Sequence, residues 1–370
     1  MSYNSAYGAI SVPELTSLAV PIGAVVFVVL LFFLKVPTPN TPVLAGLKAI
    51  DWTGSLLIVG SALMILLGLD FGDVTHPWSS ATVICLILFG VVIVCIFIVN
   101  EWKFAPNPVI PLRLFSTTPT VAAYGVFALN FYVFIGLAYY LPLYSQSVLG
   151  ADALSSGLYL LPLIVSCSLA AAFGGAFIQQ TGIYLPVMYV AQVTLTLGVG
   201  LFIDLEFEKN LTKLFIFEIL VGIGVGMNIE PPILAVQAAT TVRDTAAVIA
   251  TMGFVRSIAN AISIVVGGVI FQNEMSVANP DLVDQLGQQL ASQFNGDQAL
   301  ANVELIGTLP RDQQVLVRQA YFRALRTVWI MVRGGSFHPF ECQLDNSDRP
   351  EPATRLEAFR LSVRLGAYSL

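Results

Sequence analysis

The chain has 370 residues, 56% of them hydrophobic and 11% charged, with a formal net charge of −6 and a mean hydropathy of +0.80. A soluble domain carries about 25% charged residues, so this composition excludes an ordinary soluble protein and points to a polytopic membrane protein. No basic patch for nucleic acid is present, and Cys85, Cys95, Cys167 and Cys342, with the distant His76 and His338, form neither a disulfide framework nor a metal site.

A helix needs about 20 apolar residues to cross the hydrocarbon core. Eight segments meet this, at roughly 16–36, 52–71, 80–99, 119–143, 155–178, 184–204, 212–236 and 246–272. The runs are continuously apolar and do not alternate, so an all-α chain is expected, not a β-barrel. The first segment reads as a retained span. No basic region or small-residue cleavage site marks it as a signal peptide, and Lys35 follows it. "KVPTPNTP" (35–42) and "FAPNPVIPLR" (104–113) are proline-rich stops, and "QQTGIY" (179–184) is a tight turn.

Lysine and arginine set the orientation. Lys35, Lys48, Lys103, Arg113 and Arg243 fall on one side, which is placed in the cytoplasm. Residues 1–15, 71–79 and 144–154 carry none, and the linker after span six holds Lys209 and Lys213. The N-terminus is then outside or in a lumen, and 274–310 form an acidic outer loop with Glu274, Asp281, Asp284, Asp297 and Glu304. The sequon "NLT" (210–212) lies on that side but close against the membrane, which disfavours its use.

In span four, Tyr124, Phe127, Asn130, Phe131 and Phe134 follow helical spacing. Aromatics with one polar group suit a pocket for a hydrophobic or cationic compound. Lipid-facing or packing aromatics would show the same spacing. In span seven, Glu218 is an intramembrane carboxylate that could carry protons or lie at the interface near Lys213. Gly222, Gly224 and Gly226 suit close helix packing. Glu230-Pro231-Pro232 should break or kink the helix.

In span eight, Arg256 lies ten residues in from 246, roughly 15 Å deep at about 1.5 Å per residue. Asn260 is one turn on and Ser263 continues the stripe. Arg256 and Asn260 face a polar central cavity or a neighbouring carboxylate, or else Arg256 snorkels toward the cytoplasm. Gly253, Ser257 and Ala261 form a small-residue ridge on which another helix can pack. No nucleophile, base and orienter can be assembled from these residues, so no enzyme, cofactor or metal is expected.

"AIDWTGSLLIVGSALMILLGLDFG" (49–72), "YLPLYSQSVLGADALSSGLYLLP" (140–162), "GGAFIQQTGIYLPV" (174–187) and "GFVRSIANAISIVVGGVIFQN" (253–273), in this order and spacing, resemble fungal members of the major facilitator superfamily of the 14-spanner drug:proton antiporter type. The resemblance covers roughly residues 19–330. It implies that 16–36 is the last helix of an N-terminal half, 37–118 two linking spans and 119–273 five helices of the C-terminal half. Residues 1–15 do not fit the family, 274–320 form the outer loop, and 321–370 hold a last helix interrupted after 331 and a non-spanning, poorly packed tail.

The chain thus reads as truncated at its N-terminal half and altered at its end. The resemblance implies a proton-coupled exporter of small hydrophobic or amphipathic compounds, multi-pass in the plasma membrane, with the vacuolar membrane as the alternative. The competing reading is a non-transporting truncated membrane protein that associates with other membrane helices.

Overall fold

The computed structural model describes residues 51–72, 76–105, 110, 112–115, 117–240 and 244–346, with Ala24, Phe27 and Val28. The chain divides into two compact units, Met1–Ile50 and Asp51–Leu370. In the first, the three described residues are helical and exposed. The first expected span, Lys35, Lys48, Arg243 and residues 347–370 otherwise lie outside the described residues.

The described part of the second unit is a helical bundle. Its helices are α1 (Trp52–Phe71), α2 (Ala81–Lys103), α3 (Thr118–Ser147), α4 (Ala153–Tyr159), α5 (Leu161–Thr181), α6 (Leu185–Phe202), α7 (Leu211–Met227) and α8 (Glu230–Ala239). They are followed by α9 (Thr245–Leu286), α10 (Gln288–Ala291), α11 (Gly296–Ala301) and α12 (Arg311–Asn346). Seven segments among the described residues are long and apolar enough to cross a membrane: α1, α2, α3, α4 with α5, α6, α7 with α8, and α9. They match the second to eighth expected spans. The exposed surface is rich in Leu, Ile, Val and Phe, such as Leu56, Phe89, Phe173 and Leu197, as a lipid-facing bundle requires.

Local chemistry sets the helix ends. Asp51 caps α1, its carboxylate accepting from the Gly54 N–H at 2.8 Å. Gly182 closes α5 in the left-handed region at φ 71°, which suits a residue without Cβ. Pro231 and Pro232 occupy the first turn of α8. They offer no N–H to the preceding turn, so α7 stops at Met227 and the chain restarts at Glu230, as the sequence indicated. Leu160 separates α4 from α5 in the same way, with Pro162 in the first turn.

The core lies where α3, α6, α7, α9 and α12 meet, around Leu137, Tyr140, Leu195, Val221, Phe271, Tyr321 and Trp329. Three helices converge at Gly136 of α3. A Cβ there would meet Ser263 Oγ of α9 at 2.8 Å and Val332 Cγ2 of α12 at 3.1 Å. Ser263 Oγ also donates to the Tyr132 carbonyl at 2.7 Å.

Two expectations are corrected here. Residues 274–310 are not a loop. α9 runs on to Leu286, and α11 with two short 3-10 turns, Ser292–Phe294 and Val303–Thr308, folds back over the bundle. Ala291, Phe294, Ala299 and Ile306 of this cap are buried in the main core of the bundle, with the Phe294 ring edge to face on Tyr321 at 6.4 Å. The Tyr321 hydroxyl ties the cap to α12 by donating to the Ala299 carbonyl at 2.6 Å. The segment lacks a long apolar run, so only the pattern of its few apolar residues marks it as helical.

Likewise, the last helix is not interrupted after Met331. α12 continues to Asn346, Val332 is fully buried, and a Cβ at Gly335 would meet the Tyr132 ring at 2.8 Å. The tail is therefore packed on α3 at least as far as Gly335.

Removing the Tyr321 hydroxyl leaves the Ala299 carbonyl without that donor, a loss of about 1–2 kcal/mol. Tyr321→Phe is expected to raise amide exchange in residues 288–309 while leaving α3 and α7 protected. Unchanged exchange in the cap would show that it does not depend on this bond.

Candidate functional site

The candidate residues divide among three places. The first is the face shared by α3 and α9. Phe127 and Phe131 stack edge to face at 4.9 Å between centroids, and the Arg256 guanidinium lies over the Phe131 ring at 5.3 Å. Arg256 is exposed, and among the described residues no carboxylate pairs with it. Its partner is an aromatic face, an arrangement worth about 0.5–1 kcal/mol when exposed and more when desolvated. Asn260, one turn on, is half-buried, and its Oδ1 is enclosed with no hydrogen-bond donor among the described residues.

Tyr124 and Phe127 are buried in a cluster with Val236 of α8 and Val248 and Met252 of α9. The Tyr124 hydroxyl lies against Thr251, and its ring packs on Phe115 at 4.8 Å. These two aromatics therefore serve helix packing in this arrangement. Phe134 packs against the main core, which leaves Phe131 as the ring engaged by Arg256.

The second place is the α3–α7 contact. Asn130 is buried, and its Nδ2 donates to the Val225 carbonyl at 3.2 Å. Asn228, in the break between α7 and α8, donates to Gln192 Oε1 of α6 at 3.3 Å. Such bonds hold apolar helices together in lipid. Sequence reasoning missed Gln192 and Asn228, although an amide side chain inside each apolar run was a readable signal.

The third place is Glu218. It is 1% exposed, and its carboxylate faces the Leu163 N–H in the first turn of α5. Pro162 has opened that turn. The other carboxylate oxygen, Oε2, has no partner among the described residues. Lys213 does not reach it: its Nζ pairs with Asp204 at 2.8 Å and Glu206 at 2.9 Å. Glu218 lies five residues further along α7, about 7.5 Å deeper along the axis. Asn210 caps α7, its Oδ1 accepting from the Lys213 N–H at 3.1 Å.

The packing glycines also divide. A Cβ at Gly222 would run into Ser166 Oγ and the Leu163 carbonyl, and one at Gly226 into the Cys167 carbonyl. Gly224 does the same service against α6, with Leu195 N at 2.5 Å. The expected ridge on α9 behaves differently. Among the described residues nothing lies within 4 Å of a Cβ at Gly253, and Ser257 is exposed. With Ala261 this ridge is not a packing seam in the described bundle. The glycine of α9 that does pack is Gly267, whose Cβ would meet the Tyr140 ring at 2.5 Å.

An all-helical, multi-pass architecture with a cationic group over an aromatic ring and a carboxylate buried in a span defines the class: an integral membrane protein without an assembled catalytic set among the described residues. The comparisons narrow it. Over 311 residues, 84% of its length, the chain is 43% identical to the MFS-type transporter ppz2 of Metarhizium majus and 45% identical to the efflux pump dotC of Dothistroma septosporum. It is 37% identical over 325 residues to an MFS-type transporter of Aspergillus terreus. No family model matches. A bacterial homologue of the human lysosomal transporter Spinster aligns over 84% of this chain and 67% of its own, at 17% identity and a TM-score of 0.49. The chain spans about half the length of the curated relatives it matches, 54% of ppz2 and 53% of dotC.

Proposed function

We propose that this chain is part of a major facilitator transporter of the 14-spanner type that exports small hydrophobic or amphipathic compounds in exchange for protons. The carrying observation is Arg256, a charge inside a membrane-spanning helix that is left accessible and engages Phe131. A charge at the centre of a span costs about 2.5–3.5 kcal/mol on insertion scales, and here no carboxylate offsets it among the described residues. The accessible face of α9, with Arg256, Asn260, Ser257 and Gly253, is the candidate substrate face, joined by Phe131 of α3. Glu218 is the candidate proton carrier. Sequence similarity to proteins named as transporters and as an efflux pump supports the reading.

Efflux of a fluorescent hydrophobic substrate from energised cells tests it. In the complete transporter, Arg256→Ala is expected to cut export about fivefold with unchanged surface expression, because its side chain packs no core. Arg256→Lys should retain part of the activity, since an ammonium still sits over the ring. Wild-type export by Arg256→Ala would remove Arg256 from the site.

The second reading is a non-transporting membrane protein that associates with other membrane helices. The open small-residue face at Gly253 and Ser257 favours it. Co-purification with a longer relative, together with no energised efflux, would select it.

A further inference from the structure

A cavity of about 320 Å³ opens at the capped end of the bundle. The last turns of α3 form one wall with Tyr139, Leu143 and Gln146. The folded cap forms the other with Leu300, Val303 and Glu304. Both walls are held in place. The Tyr139 ring stands edge to face on Tyr140 at 5.0 Å, and the Tyr140 hydroxyl donates to the Ile264 carbonyl at 2.6 Å. Gln146 Nε2 donates to Ser156 Oγ at 3.0 Å. Across the cavity, Asn302 Nδ2 donates to the Gln293 carbonyl at 3.0 Å, and Val303 and Ile306 are buried. The recognition groups nevertheless reach solvent: Glu304 and Tyr139 are both exposed.

We propose that this cavity is a binding site for a compact organic cation, a one-ring or similarly small ammonium compound. Glu304 is the only charged side chain in the lining, so the charge nearest a bound ligand is negative. The Tyr139 ring offers a face for the cation, and Leu143, Leu300 and Val303 offer apolar cover for its organic part. The volume is at the small end of ligand pockets, about 300–1,000 Å³, which excludes large amphiphiles. Because each wall is braced internally, little side-chain ordering is required of the protein. The site lies away from the Arg256 face and does not depend on the export reading.

The test uses the purified chain in lipid nanodiscs with benzyltrimethylammonium as probe and neopentylbenzene as its uncharged isostere. Ala301 lines the cavity and is exposed, so maleimide labelling at position 301 in Ala301→Cys, read by peptide mass spectrometry, reports occupancy. Benzyltrimethylammonium is expected to slow labelling saturably, and neopentylbenzene to leave it unchanged. Adding Glu304→Gln or Tyr139→Ala should each raise the half-protecting concentration about 3- to 5-fold, the scale of one exposed charge or cation–π contact. Glu304 is exposed, so its substitution spares the fold. Absence of saturable protection, equal protection by the uncharged isostere, or equal protection in both variants would overturn the proposal. Since nothing is transported in this assay, its failure is distinct from a failure of export.

Discussion

Glu218→Gln is expected to abolish proton-driven export while leaving the bundle folded. Glutamine keeps the volume and can still accept from the Leu163 N–H, so the α5–α7 contact survives. What it loses is the exchangeable proton. Lys213, the nearest cation along α7, is engaged by Asp204 and Glu206 and cannot substitute. The expected loss, in proteoliposomes holding the complete transporter under an imposed pH gradient, is on the order of a hundredfold or more, the lower range for a group that moves protons. Glu218→Asp should keep partial coupling. If Glu218→Gln drove export at the wild-type rate, the carboxylate would be only a brace for the first turn of α5.

The largest structural effect is expected at Gly226. A Cβ there would run into the Cys167 carbonyl and lie 3.0 Å from both Ala170 Cβ and Ala171 N. Two of these are backbone atoms, so α5 itself must move. Overpacking of this kind costs about 1–3 kcal/mol or more, a large share of a stability of roughly 5–15 kcal/mol. Gly226→Val should therefore collapse the monodisperse peak in detergent and lower the temperature of aggregation. Gly222→Val should behave alike, because Ser166 and Leu163 stand in its way. Gly253→Ala is the control, since among the described residues nothing lies within 4 Å of its Cβ. It should leave the melting temperature unchanged. If Gly226→Val melted like the wild type, the close approach of α5 and α7 would be wrong.

Much of this was legible in the chain. The apolar runs located α1 to within a residue of its observed ends, 52–71 against Trp52–Phe71, because lipid leaves a helix few ways to satisfy its backbone. Pro231-Pro232 fall at the break between α7 and α8, and Gly222 and Gly226 fall where a Cβ would meet α5, since each acts through local sterics. The rest depended on long-range pairing. Nothing near Arg256 in sequence indicates that its partner is Phe131, 125 positions away. Nor could spacing alone tell that the Gly253–Ser257 face of α9 meets no other described residue at Gly253 while Gly267, four turns on, takes the close contact with Tyr140. The cap was missed for a different reason: hydropathy reports long apolar runs, and its short helices contribute only a few scattered apolar side chains to the main core.

The unbroken course of α9 has a mechanical consequence. Arg256 and Leu286 sit on one helix, thirty residues apart, a rod of about 45 Å. Pro280 lies near its far end and not between the membrane face and Gly267. A tilt of about 10° at the level of Arg256 would sweep the far end of the rod through about 8 Å. The cap rides on that end. Any rocking of α9 that accompanies events at Arg256 is thus magnified into displacement of Ala301, Val303 and Glu304 relative to α3. A pair of spectroscopic labels on the cap and on the α3 terminus would read the internal state of the bundle.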